Sequence, residues 1–243
     1  MTLRAVTRAV AVAIGLAGIG VGGGLVLVLG VLLSAQVVGI TMTPLGTIAV
    51  SLVFATGLGF GGVALLYLRS RGLTLAYVGI ARPSRTDALA VGIGYLGALL
   101  LVGIAGAVLM RTDTEAAPNT AAQAGIADPT VLLVLIVASL AIIGPGEELL
   151  FRGIVQGRLR EALPAVGAIP LASVIFAAIH YFSLAGVPEA RIVSISVLVL
   201  PTLVFGVLYE LTENLVVPAL THGLYNATLF GLLYIAVTAD IPM

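Results

Sequence analysis

Long apolar stretches, separated by short polar segments, run through the chain from end to end. A helix needs about 20 mostly apolar residues to cross the hydrocarbon core of a bilayer. Seven stretches reach or approach this length: residues 9–33, 45–68, 88–110, 130–146, 162–188, 192–209 and 214–239. The pattern therefore predicts an all-α, polytopic transmembrane bundle of about seven helices.

Two of the predicted spans are short. The fourth is interrupted by Glu147, although apolar residues resume at 149–151. The sixth is short enough to be tilted or partly re-entrant. We expect a bend around Pro145 in the fourth span, and a hairpin between the fourth and fifth spans that turns near Pro164.

Arginine is distributed unevenly between the two predicted sides of the membrane. All 11 basic residues are arginines. If the N-terminus is cytoplasmic, only Arg111 and Arg191 lie outside. The nine others lie inside: Arg4, Arg8, Arg69, Arg71, Arg82, Arg85, Arg152, Arg158 and Arg160. Because basic residues concentrate on the cytoplasmic side, we expect a multi-pass plasma-membrane protein with a cytoplasmic N-terminus.

Composition excludes several classes of function. The chain is 60% hydrophobic and only 9% charged, whereas soluble domains carry about 25% charged residues. The net charge is zero and no basic run occurs, which argues against a nucleic-acid partner. Cysteine is absent, so disulfides, thiolate metal sites and a cysteine nucleophile are excluded.

An ionisable side chain inside the bilayer costs free energy and needs a partner or a function. In the second half of the chain, several such side chains are spaced so that they share one face of a helix. Glu148 and Arg152 are four residues apart and can pair on one helix face, and His222 and Asn226 share the same spacing. Glu147 points about 100° away from the Glu148 pair.

The heights of these residues also agree. Glu147 lies 17 residues before Pro164 and His180 lies 16 residues after it, which places both about 25 Å from the turn. His222 lies nine residues, or about 14 Å, above Glu213. Both of the chain's histidines therefore fall near Glu147, and we expect a polar cluster in the cytoplasmic half of the membrane.

The chemistry of this cluster suits peptide-bond hydrolysis. A carboxylate in an apolar pocket can act as a general base toward water, and an imidazole can hold that water or bind a metal. An imidazole and an amide on a facing helix can donate hydrogen bonds to an oxyanion. Neither a Gly-x-Ser-x-Gly nor a His-Glu-x-x-His motif occurs.

Three motifs resemble those of a known family. Glu147-Glu148-Leu-Leu-Phe-Arg152 resembles Glu-Glu-x-x-x-Arg, the segment from Phe176 to His180 resembles Phe-x-x-x-His, and the segment from His222 to Asn226 resembles His-x-x-x-Asn. Together, in this order, they resemble the CAAX protease and bacteriocin-processing (CPBP) family, which includes the Ras-converting endopeptidase. The resemblance covers about residues 130–235. Described members have eight helices, and an undetected re-entrant piece would explain a count of seven.

This resemblance implies roles for the motif residues. Glu147 would activate water with the help of His180, and His222 with Asn226 would stabilise the oxyanion. Glu148, Arg152 and Phe176 would complete and shape the catalytic pocket. Glu147, His180 and His222 are also candidate ligands for a divalent metal such as zinc. Members of the family are often described as metalloproteases, and a metal-free mechanism is also argued for them, so both mechanisms stay open here.

The expected domain organisation and partners follow from the same resemblance. Residues 1–129 would form an accessory packing unit of three helices, and residues 130–243 the catalytic core. The expected partners are membrane lipids and a peptide or protein substrate, which the kinship allows to be lipidated. Two other functions stay open at this point: a non-catalytic immunity or scaffold protein, and a proton-coupled transporter.

Overall fold

The computed structural model describes residues 2–112 and 114–241. Within these residues, seven helices are long and apolar enough to cross a membrane. They are α1 (Leu3–Val37), α2 (Pro44–Ser70), α3 (Arg85–Leu109), α4 (Pro129–Arg160), α5 (Ala165–Ser183), α6 (Pro188–Thr212) and α7 (Val216–Thr238). The predicted all-α polytopic bundle is confirmed, and the chain is an integral, multi-pass membrane protein.

Proline and short polar residues set where these helices begin. Pro44, Pro129 and Pro188 stand at the start of α2, α4 and α6, where a missing N–H costs nothing and the fixed φ already suits a helix. The first turn of α3 is closed by a capping box, in which Ser84 and Asp87 each accept a hydrogen bond from the other's backbone N–H.

Two helices are longer than their uncharged stretches. The fourth stretch stops at residue 146, but α4 continues to Arg160 through wide π-helical turns on both sides of Glu147, which agrees with a hairpin that turns near Pro164. The sixth was expected to be short, but α6 has 25 residues. Uncharged length underestimates both helices. In α4, Glu148 and Arg152 pair inside the bundle and do not end the span. In α6, the terminal turns contain Glu189, Arg191 and Glu210 and extend past the uncharged stretch at both ends.

One end of the bundle gathers the turns that the arginine pattern assigns to the cytoplasm. Arg160 Nε donates to Glu210 Oε1 over 2.8 Å, and Leu215 N donates to Gly79 O over 3.1 Å. Tyr77 lies in the same region, beside Glu161. Burial and the nearby Glu161 carboxylate raise the pKa of the Tyr77 hydroxyl.

The linker between α3 and α4 is fastened at the opposite end. Ala117 N donates to Ala190 O, and Ser194 Oγ donates to Ala117 O. An isolated β-bridge joins Asn119 to Leu184, and it is the one β-type pairing among the described residues. These bonds hold the linker against the end of α5 and the start of α6.

Candidate active site

A close crossing of α4 and α7 brings the motif residues together. A Cβ added to Gly144 would lie 2.5 Å from the carbonyl oxygen of Ala219, and one added to Gly223 would lie 2.8 Å from that of Ser139. The two backbones are therefore in direct contact. Glu147 follows Gly144 by three residues and so shares its helix face, while His222 immediately precedes Gly223.

Glu148 is the centre of a buried polar network. Its Oε2 lies 3.2 Å from Arg152 Nε, and both side chains have 0% exposure. Its Oε1 lies 2.8 Å from His222 Nδ1. Arg152 also donates from Nη2 to the carbonyl oxygen of Thr202, over 3.0 Å. Buried charges require such pairing and hydrogen bonding to remain ionised.

These contacts determine the tautomer of His222. Glu148 is paired with a guanidinium and therefore acts as a carboxylate acceptor, so His222 Nδ1 carries a hydrogen and donates it. In the neutral ring, Nε2 then accepts from Asn226 Nδ2, which lies 3.0 Å away. Asn226 keeps a second amide hydrogen that this bond does not use.

His180 is oriented by a change of helix type at its own position. Its backbone N–H bonds to Ala177 O rather than to Phe176 O, because the chain tightens into a 3₁₀ turn over His180–Ser183. The freed Phe176 carbonyl lies 2.9 Å from His180 Nδ1 and can only accept, so Nδ1 donates to it. His180 Nε2 is left facing Glu147.

The Glu147 carboxylate lies between the two imidazoles. Its Oε2 is 4.0 Å from His180 Nε2 and 3.9 Å from His222 Nε2. Within the described part of the chain it makes no direct hydrogen bond. Separations of this size suit a bridging water molecule. The side chain of His180 is 22% exposed, against 9% for Glu147 and 5% for His222, so the cluster is reached from the His180 side.

Phe176 packs against three members of the cluster. Its ring centroid lies 4.8 Å from that of His180 and 5.8 Å from that of His222. Arg152 Cζ lies 5.0 Å above the same ring. Phe176 is 1% exposed, so it is both a core residue and a wall of the site.

Two residues outside the three motifs join the site, Phe205 of α6 and Gln156 of α4. Phe205 stacks on His222, with ring centroids 4.9 Å apart and planes 18° from parallel. Gln156, one turn after Arg152, is 1% exposed and donates to the carbonyl oxygen of Gly206. The four-residue spacing of Arg152 and Gln156 is a signal for one buried polar face, whereas nothing in the apolar sequence of α6 singles out Phe205.

One charge was assigned to the wrong environment. Arg152 was counted among the nine cytoplasmic arginines, but its side chain is fully buried in the bundle. The bias that remains is eight arginines against two, since Arg152 belongs to the polar network and carries no information about the side of a loop.

The arrangement does not match a metal centre. Zinc binds nitrogen and oxygen ligands at about 2.0–2.2 Å in a tetrahedron. Two ligand atoms of one zinc ion are therefore closer together than Glu147 Oε2 is to His222 Nε2 (3.9 Å) or to His180 Nε2 (4.0 Å). His222 Nε2 is also engaged by Asn226. Among the described residues, no group of three or more His, Asp or Glu side chains forms a metal-holding cluster.

The site lies well inside the bundle. From the end with the Arg160–Glu210 pair, Glu147 is 13 residues up α4 and His222 is six residues up α7, or about 20 and 9 Å along each axis. Glu147 and His222 nevertheless lie side by side, so at this end of the bundle the hairpin of α4 and α5 extends further beyond the site than the turn before α7 does. His180 lies three residues from the opposite end of α5.

Comparison with known proteins identifies this part of the chain. A family model described as type II CAAX prenyl endopeptidase Rce1-like matches residues 129–228. No curated protein and no solved structure matches the chain. The matched segment contains all three motifs and implies a membrane-embedded peptide hydrolase. The family resemblance predicted from those motifs is thus confirmed for residues 129–228, the segment of the chain that matches the Rce1-like CAAX prenyl endopeptidases.

Proposed function

We propose that this protein is an intramembrane endopeptidase in which Glu147 activates the hydrolytic water directly. The observation that carries the proposal is the position of the Glu147 carboxylate, about 4 Å from the facing Nε2 atoms of His180 and His222, inside a domain of a protease family. Glu147 Oε2 and His180 Nε2 both act as acceptors, so one water molecule can donate a hydrogen bond to each.

The proposed reaction begins with that water. Glu147 takes one proton as the water oxygen attacks the carbonyl carbon of the scissile peptide, and His180 holds the second hydrogen and orients the lone pair. The tetrahedral intermediate breaks down as the C–N bond cleaves. Glu147 then returns its proton to the leaving amine, and the carboxylate is regenerated.

The oxyanion is stabilised from α7. Asn226 directs its second amide hydrogen at the developing negative charge. His222 holds the Asn226 amide in place by accepting its first hydrogen at Nε2, and Glu148 fixes this tautomer of the ring by accepting from Nδ1. Arg152 pairs with Glu148 in this buried setting.

The proposal also covers the roles of the helices, the side of the membrane and the substrate. Residues 130–243 provide the catalytic groups, while α1 to α3 pack around them. The basic turns face the cytoplasm, and substrates enter from that side of the plasma membrane. The substrate is a peptide or protein with an apolar C-terminal region, and the family's description makes a prenylated C-terminus the first to test.

Peptide hydrolysis by the purified full-length protein tests the proposal. Quenched fluorescent peptides, with and without a prenylated C-terminal cysteine, should be cleaved by the wild type. Glu147→Gln and His180→Ala should each lower kcat by about 10²-fold or more, because they remove the general base or its water. Glu189→Gln, a change of the same type at an exposed position, should keep the wild-type rate.

Two outcomes would contradict the proposal. Full activity in both Glu147→Gln and His180→Ala would exclude the proposed chemistry. A wild-type protein that is folded but cleaves no peptide would favour a non-catalytic membrane protein instead.

A further inference from the structure

Phe205 is the closest aromatic neighbour of His222 in a parallel orientation. The two ring centroids are 4.9 Å apart with planes at 18°, and Phe205 is 1% exposed. Phe176 also meets His222, but edge-on at 76° and over 5.8 Å. Of these two rings, Phe205 is therefore the one that is stacked nearly parallel to the imidazole.

The His222 ring needs such a support. The last torsion of a histidine side chain is broad, so neighbours must set the orientation of the ring. The hydrogen bonds to Glu148 and Asn226 hold Nδ1 and Nε2, but a ring held at these two points can still rock about the line that joins them. A stacked aromatic ring opposes this rocking.

Phe205 is itself held in register with the catalytic helix. Arg152 Nη2 donates to Thr202 O and Gln156 Nε2 donates to Gly206 O, both over 3.0 Å. One turn further on, Arg160 pairs with Glu210. Each pair is separated by 50 residues, because α4 and α6 run in the same direction. Phe205 lies between the two carbonyl acceptors.

The same ring contacts a second member of the network. Arg152 Cζ lies 5.8 Å above Phe205, a distance at which a guanidinium is attracted to an aromatic face. Phe205 therefore contacts both ends of the Arg152–Glu148–His222 chain without making a hydrogen bond to any of them.

We propose that Phe205 is a positioning residue that fixes the plane of the His222 ring for the reaction. This inference rests on the proposed function for its effect on catalysis, although the contact itself does not depend on activity. In the wild type, His222 then presents Nε2 toward Asn226 and Glu147 in one orientation. A catalytic ring that rocks would present it over a range of directions.

The chain contains only two histidines, which makes nitrogen NMR of ¹⁵N-histidine-labelled protein a direct test at one fixed pH. Phe205→Leu should shift or broaden the His222 ring signals and leave those of His180 in place. For the same variant, we expect kcat for peptide hydrolysis to fall about tenfold to hundredfold with KM little changed, because misplacement of a catalytic group by about 1 Å costs this much.

Phe60→Leu is the matched control. Phe60 is also a buried phenylalanine, 8% exposed, but its ring meets Phe151 rather than an imidazole. The Phe60→Leu variant should be less stable than the wild type, with the His222 signals and kcat unchanged. If Phe205→Leu does not fold, Phe205→Met is used in its place, because the unbranched methionine side chain adapts to an irregular space.

Unchanged His222 signals and an unchanged kcat in the folded Phe205 variant would overturn the inference and leave the proposed function intact. Equal effects in the Phe60 variant would overturn it as well, since they would mean a general loss of packing. If the wild type cleaves no peptide, the proposed function fails, and the His222 signals alone still decide the role of Phe205.

Discussion

Glu148 and Arg152 carry opposite charges with no solvent access on either side chain. Each partner compensates the desolvation of the other, and hydrogen bonds join Glu148 to His222 and Arg152 to Thr202. Removal of one partner leaves an uncompensated charge inside the bundle, which is far more costly than removal of both.

We therefore expect Arg152→Met to lower the free energy of unfolding by about 3–5 kcal/mol. The double variant Glu148→Gln/Arg152→Met should recover part of that loss, since neither member of the pair is then left as an uncompensated charge. Unfolding of the purified protein in detergent micelles measures both effects. Arg160→Met is the control, because its pair with Glu210 is 38% and 27% exposed and such pairs contribute about 1 kcal/mol or less.

A loss in Arg152→Met no larger than in Arg160→Met would show that the buried pair does not hold the site together. A double variant with a lower free energy of unfolding than Arg152→Met would mean that the two side chains act independently.

At the residue scale, spacing along one helix was enough to predict that Glu148 can pair with Arg152 and that His222 and Asn226 lie on one helix face. The Glu148–His222 bond joins residues 74 positions apart, and no local spacing contains it. Phe205 could not be predicted at all, because one phenylalanine in an apolar helix has the same pattern whether it faces lipid or an imidazole.

At the scale of elements, glycines determine how closely the catalytic helices approach. Gly144 and Gly223 let α4 and α7 touch through their backbones. A similar contact joins α2 to α4, where a Cβ on Gly146 would lie 3.1 Å from the carbonyl oxygen of Thr56. Small residues allow such close approach between membrane helices, where packing rather than the hydrophobic effect drives association.

Gly223→Ala tests the importance of this crossing. The added methyl group has no room beside Ser139 and Leu140, so α7 must move away from α4. We expect a loss of about 1–3 kcal/mol in unfolding free energy and a fall of more than tenfold in peptide hydrolysis. Gly103→Ala is the matched change at a glycine with nothing within 4 Å, and it should affect neither measurement.

Wild-type activity and stability in Gly223→Ala would mean that the crossing tolerates a wider separation than the structure shows. The sequence alone could not distinguish these two glycines. Both stand in apolar helices, and only the fold reveals that one meets a backbone while the other meets none.

At the scale of the whole molecule, hydropathy predicted the number of helices because each span must satisfy its own backbone hydrogen bonds within the bilayer. The charges at Glu147, Glu148 and Arg152 interrupt the uncharged stretch of α4 without ending the helix, because Glu148 and Arg152 pair inside the bundle. Leu16 of α1 and Phe60 of α2 share one buried cluster with Phe151 of α4, so helices of the predicted accessory unit pack directly against the helix that carries Glu147.

The orientation of the molecule can be measured with single cysteines, because the chain contains none. With a cytoplasmic N-terminus, Thr112→Cys lies outside and Ser84→Cys inside. A membrane-impermeant maleimide should label the first in intact cells, and the second only after permeabilisation. Both positions are exposed, so their reactivity reports the side of the membrane. The reverse labelling pattern would contradict the arginine-based orientation.

The central claim is that Glu147 and His180 activate water without a metal ion. Metal content and peptidase rate, determined on one purified preparation before and after treatment with a chelator, test it most directly. We expect no stoichiometric metal and an unchanged rate after chelation. One zinc ion per chain that is lost together with activity, and that restores activity when added back, would contradict the claim.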